Sequence, residues 1–242
     1  MKYLYTIGGG DPLIRQIPVL DGGTDILKGA LVMKGSTDDT NEPFAVLSTT
    51  GTDAIGVIEN LVDASETVDS AIGGTAIQLA KVAMNPHNVY LIEYDQADTL
   101  AETTATSTVT FTATSLEAAL TGGYLFAITG AAAGELQQVV TDASGSCTTK
   151  AAFTQTSGSD TFIKILPQFH TVLKLNSTAT KIGSDVAAGA VEVCILENYI
   201  EADNVPFQRL DPTKHSGLDL TNQHPKFYAE VLFRDHILNP LS

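Results

Sequence analysis

Side chains able to do chemistry are thinly spread in this sequence. Its five histidines, His87, His170, His215, His224 and His236, include no pair spaced four residues apart on a helical pattern, so a two-histidine zinc grip is not spelled. His87 follows Pro86 in a turn and His170 precedes an apolar strand, which reads as surface or hydrogen-bonded core. A hydrolase elbow needs Gly-x-Ser-x-Gly, whereas Ser144 sits in Ala-Ser-Gly-Ser-Cys, a turn sequence. Gly8-Gly9-Gly10 is followed by neither Lys-Ser nor Lys-Thr and opens no helix, so it reads as a hinge and not a phosphate cradle. Asp38-Asp39-Thr40-Asn41-Glu42 gathers oxygen donors that calcium would accept, but lacks the glycine and distal glutamate of a calcium loop. It reads as a polar hairpin turn. Carboxylate pairs for glycosidase work are set by tertiary distances, yet the chain has no tryptophan to stack on sugar rings. Cys147 and Cys194 are too few for a zinc site or a disulfide framework, and read as small core residues, with a single bridge left open. The expectation is a chain with no catalytic residue, no cofactor and no metal.

The remaining chemistry is adhesive. Tyr3 and Tyr5 near one end, and Phe207, Phe227, Tyr228 and Phe233 near the other, are followed by the apolar pair Ile237 and Leu238. Aromatic rings carry a disproportionate share of interface energy, so these eight residues are the candidate contact set. Residues 227–233 (FYAEVLF) read equally as a last core strand, and the two uses are compatible. Charge points the same way. Residues 1–204 hold 24 acidic and 9 basic side chains, whereas 205–242 hold 4 of each. A near-neutral tail on an acidic body can approach an acidic neighbour without the repulsion the body would meet. The tail also holds His215, His224 and His236, which could ionise together near neutral pH at an interface.

These residues need elements to hold them, and the texture throughout is that of strands. Segments 26–34, 44–48, 54–60, 75–84 and 89–94 are short apolar runs with turn residues every eight to twelve positions, the pattern of a barrel or sandwich. Residues 63–72 and 115–122 could each hold a helical turn closed by glycine. Threonine alternates with other residues from 104 to 114, placing a hydroxyl row on one strand face. Four further strands follow at 124–129, 135–141, 147–153 and 161–166, then two at 170–175 and 190–199. The expected fold class is therefore all-β: a β-barrel or sandwich core with an inserted small β module and extended N- and C-terminal arms. The expected division is residues 1–23 as an N-terminal arm, 24–98 plus 168–203 as the main barrel, 99–167 as the inserted module and 204–242 as a C-terminal arm.

Composition agrees with strands and excludes several classes of partner. Charged residues make up 17% of the chain, below the usual quarter, and threonine, serine, alanine and glycine replace them. The net charge of −15 repels phosphate backbones, so nucleic acid is not an expected partner. No run approaches 18 consecutive apolar residues, so no transmembrane helix is expected, and the first ten residues are too weakly apolar for a signal peptide.

Two stretches carry a family resemblance. Lys28-Gly29-Ala30-Leu31-Val32, followed by Ala54-Ile55-Gly56-Val57-Ile58-Glu59, resembles the paired strands of small β-barrel cement proteins of tailed-phage capsids. Gly122-Gly123-Tyr124-Leu125-Phe126, through Gly130-Ala131-Ala132-Ala133-Gly134-Glu135, is similar to a glycine-bounded hairpin of decoration and other virion proteins. The resemblance covers about half of the chain and leaves the last 40 residues unmatched. It implies a structural virion protein on the outer capsid surface, binding the major capsid protein and cementing neighbouring subunits, as a homo-oligomer with a trimer favoured. A tail or baseplate subunit is the alternative, and a carbohydrate-binding module a second.

Overall fold

In a computed structural model, the described residues are 1–20, 23–37, 43–47, 54–65, 77–97, 99–104, 108–113, 120–154, 156, 158–183 and 190–234. Their regular elements are strands but for one short helix. β1 (Lys2–Thr6), β2 (Ile14–Leu20), β3 (Leu31–Thr37), β4 (Pro43–Leu47), β5 (Ala54–Ile58) and β6 (Ile77–Ala83) come first. Next are β7 (Asn88–Glu93), β8 (Leu100–Ala101), β9 (Thr110–Thr112), β10 (Tyr124–Ala127), β11 (Leu136–Ala143), β12 (Ser146–Thr149) and β13 (Thr161–Ile165). The chain continues through β14 (Val172–Lys174), β15 (Ala190–Ala202), β16 (Val205–Arg209), the short helix α1 (Pro212–His215) and β17 (Lys226–Phe233).

Five strands close a small barrel in the order β2-β4-β3-β5-β6. Its core is aliphatic, with Val19, Val32, Ala45, Ile55, Ile58, Ala80 and Val82 packed together. The two strands of the first motif lie side by side here, Leu31 opposite Val57 and Val32 opposite Gly56. Position 56 must be glycine, because a Cβ there would lie 2.1 Å from the Ala83 carbonyl oxygen of β6. The barrel is thus complete within residues 14–83, and the expected contribution of 168–203 to it is corrected. The expected N-terminal arm is corrected too: β2 pairs along its length with β6, from Ile14 opposite Ala83 to Leu20 opposite Ile77. Pro18 fits within this strand because β4 joins β2 only at Val19 and Leu20, so for most of its length β2 has a free edge, where proline is tolerated.

A second sheet runs β1-β7-β17-β15-β14, with β16 on the β14 side of β15. Within the expected C-terminal arm, residues 205–209 and 226–233 are therefore sheet strands. β17 is a central strand, paired with β15 from Val193–Phe233 to Glu201–Lys226 and with β7 from Leu232–Val89 to Tyr228–Glu93. Its alternation decides which rings are available: Phe227, Ala229, Val231 and Phe233 point inward and are buried. Phe227 and Phe233 are core, which corrects their assignment as contact residues.

The third sheet, β8-β13-β10-β11-β12-β9, lies wholly within 99–167, and a bridge between Glu102 and Ala113 ties its two ends. Phe111, Phe153 and Phe162 fill it, with Phe111 and Phe162 in a T-shaped contact at 4.6 Å. In its hairpin, Gly134 has φ +89° and a Cβ would meet the Leu218 carbonyl oxygen at 2.0 Å. One glycine of each motif, Gly56 and Gly134, is thus required by how closely a strand or loop approaches it. The third sheet's core is continuous with that of the second: Phe126 packs on Phe227 at 4.9 Å, and one hydrophobic cluster runs through both. A buried polar clamp pins the same seam. Tyr94 donates its hydroxyl proton to Asn198 Oδ1 (3.0 Å) and accepts from the Leu166 N–H (3.1 Å), while Asn198 Nδ2 donates to the Leu166 carbonyl (2.9 Å).

Candidate functional site: an aromatic and carboxylate face on the second sheet

On the outer face of the second sheet, period-two alternation in β17 and β15 brings Tyr228 and Glu230 beside Tyr199 and Glu201. Three phenols then meet two carboxylates. Tyr5 donates to Glu230 Oε1 at 2.5 Å and Tyr199 to Glu230 Oε2 at 2.7 Å, and Tyr228 donates to Glu201 Oε2 at 2.9 Å. The hydrogen bond to Glu230 pushes the Tyr5 phenol up to about 12, and burial together with Glu230 does the same for Tyr199. Burial and Glu201 raise Tyr228 further. Such phenols hold their protons at neutral pH and serve as hydrogen-bond donors, far from the poise a proton-transfer group needs.

The hairpin β15–β16 lays Phe207 over this lattice. Its ring stacks on Tyr199 with centroids 4.9 Å apart and planes 9° from parallel, and meets Tyr228 edge-on at 5.7 Å. Phe207 remains 45% exposed. Beside it a groove of about 550 Å³ crosses the strands, floored by Leu4, Leu91 and Tyr228 and flanked by Glu201 and the Lys181–Glu93 ion pair (3.0 Å). A second pair, Arg209–Glu197 at 2.6 Å, lies on the hairpin side. The face therefore offers apolar ring surface framed by two ion pairs and by carboxylates that accept from phenols, an arrangement suited to contact with another surface.

The sequence-derived contact residues divide. Phe207, Tyr228 and Tyr5 (46% exposed) share this face. Tyr3 instead packs edge-on against buried Tyr90 at 6.3 Å and shares a hydrogen bond with Thr6. Phe227 and Phe233 are core, and Ile237 and Leu238 lie outside the described residues, as do Asp38 to Glu42. Sequence reading missed Tyr199, Glu201 and Glu230, although Tyr-x-Glu at 199–201 and again at 228–230 is a legible alternating signal.

His215 and His224 sit in different surroundings. His215 is buried, its Nδ1 accepting from the Asp211 N–H at 2.9 Å, and burial lowers its pKa, whereas exposed His224 faces Asp203 at 2.8 Å. His236 lies outside the described residues. Cys147 and Cys194 are both free thiols. The buried carboxylate Glu102 is held within the third sheet, accepting from the Thr156 hydroxyl and from the Gly158 N–H at 3.0 Å. Among the described residues, no group of three or more His, Cys, Asp and Glu side chains is placed to hold a metal ion. No protein-family model, no curated protein and no solved structure matches the chain.

Proposed function

We propose that this chain is a non-enzymatic structural protein of a phage virion, a decoration protein that binds the outer capsid surface and cements neighbouring major capsid subunits. The carrying observation is the ring of Phe207, nearly half exposed and stacked on Tyr199 above a lattice of hydrogen-bonded phenols and carboxylates. An aromatic anchor held on a sheet by ring contacts loses little entropy on contact and suits a permanent interface. The resemblance of Lys28–Val32 and Ala54–Glu59 to cement-protein strands supports the virion part of the reading, and a homo-oligomer would fit the symmetry of a lattice.

Cosedimentation with capsids assembled without this chain tests it. The purified chain is expected to pellet with them and to raise the temperature at which they disrupt. Phe207→Ala is expected to weaken that binding by at least about tenfold, the size of a modest hot spot. A chain that stays in the supernatant at every concentration would rule the reading out.

A further inference from the structure

The groove beside Phe207 has a chemical preference as well as a shape. Leu4 and Leu91 make its floor apolar, and a chain of contacts runs along its rim. Phe207 meets Tyr228 at 5.7 Å, and the Tyr228 hydroxyl donates to Glu201 Oε2 at 2.9 Å. An exposed ring and a carboxylate thus share one groove, joined through a single phenol.

Charge on this face is not balanced within the chain. Glu93 is paired with Lys181 and Glu197 with Arg209. Among the described residues, Glu201 and Glu230 have no cationic partner, and their side-chain donors are neutral phenols. Lys2 lines the groove without pairing with Glu201. The rise in the Tyr228 pKa registers this field: behind burial and the hydrogen bond, the charges of Glu201 and Glu93 add to it. The two carboxylates differ in what they can still do. Glu230 is buried and both its oxygens accept from phenols. Glu201 is exposed and only its Oε2 is engaged, so Oε1 is open to a donor.

The ring beside it is half used in the same way. One face of Phe207 is covered by Tyr199, stacked 9° from parallel at 4.9 Å, and the residue is still 45% exposed. The open face of an aromatic ring attracts a cation. An apolar occupant would leave Glu201 without a counter-charge, and an acidic one would be repelled. Lysine brings charge as a compact, strongly hydrated point. Arginine brings a planar guanidinium that stacks on a ring while its N–H groups donate to a carboxylate. Its methylene stem also suits the floor of Leu4 and Leu91.

We propose that this groove receives an arginine side chain of the partner protein, its guanidinium lying on the open face of Phe207 and donating to Glu201 Oε1. This names the chemistry of the docking face and rests on the capsid reading above, the arginine belonging to the capsid subunit. N-acetyl-arginine amide and its uncharged isostere N-acetyl-citrulline amide are titrated into the full chain labelled with nitrogen-15. Saturable shifts of the Tyr199, Phe207 and Tyr228 amides are expected, with citrulline about tenfold weaker. Glu201→Gln, whose amide oxygen can still accept from Tyr228, is expected to keep the melting temperature and abolish the preference for arginine. Phe207→Leu should weaken the arginine probe about threefold. Equal binding of the two probes, no saturable shift at these amides, or a preference that survives Glu201→Gln would each overturn the proposal. The last would show only general attraction to an acidic chain. Dissociation of an oligomer by Glu201→Gln, seen in sedimentation velocity, would place the arginine in a second copy and overturn the assignment too. The capsid reading fails on a different result, a chain that prefers arginine yet stays in the supernatant with capsids.

Discussion

Phe227 and Tyr228 are neighbours in sequence with opposite fates. Phe227 is 1% exposed and packs on Phe126, whereas Tyr228 reaches across the outer face to Glu201. Both read as contact candidates because a ring's type does not report the side of the strand it occupies. Phe227→Ala should destabilise the protein by about 3–5 kcal/mol, the cost of a large cavity in a packed core. Phe207→Ala, at an exposed position, should change stability by no more than about 0.5 kcal/mol. Urea unfolding followed by circular dichroism measures both. Similar losses for the two variants would show that Phe207 belongs to the fold and not to a contact surface.

At the scale of elements, the terminal segments carry the main revision. Residues 1–23 and 204–242 read as arms, yet β1, β2, β16 and β17 are all paired. β17 lies between β7 and β15, so it joins two parts of the chain that are about a hundred residues apart. Deleting 204–242 should therefore split the second sheet and expose the inner faces of β7 and β15. The truncated chain is expected to lose its cooperative thermal transition. A truncated protein that melts near the full-length temperature would restore the arm interpretation. The individual strands were legible from their apolar runs and turn residues, as with Ala54–Ile58 and Thr161–Ile165. The pairing of β17 with β7 was not, because strand order depends on contacts far apart in sequence.

For the whole molecule, one hydrophobic cluster spans the second and third sheets, and the tyrosines are distributed along and above it. Burial raises Tyr90 and Tyr94, the hydrogen bond to Glu230 raises Tyr5 to about 12, and burial together with Glu230 raises Tyr199 to about 12. A phenol whose folded pKa exceeds the unfolded value near 10 stabilises the fold fully below pH 10. That contribution fades as pH climbs from 10 through about 12. Ultraviolet titration should accordingly show most of the seven phenols ionising late and steeply, together with loss of the β-sheet signal. A gradual titration centred near 10 with the fold intact would mean that the lattice does not hold in solution.

By itself, the sequence determined the strand-rich fold class, the acidic surface and the short apolar runs, because these follow from composition and period-two patterning. It also marked the strand that carries Gly56 and the hairpin turn that holds Gly134. Only the tertiary structure decided that the barrel closes within 14–83, and that β17 is central rather than a tail. It alone separated Phe207 and Tyr228, at the surface, from Phe227 and Phe233 in the core. The reason is geometric. Alternation tells which side chains share a face, but which face is covered depends on what packs against it, and here the cover comes from distant parts of the chain.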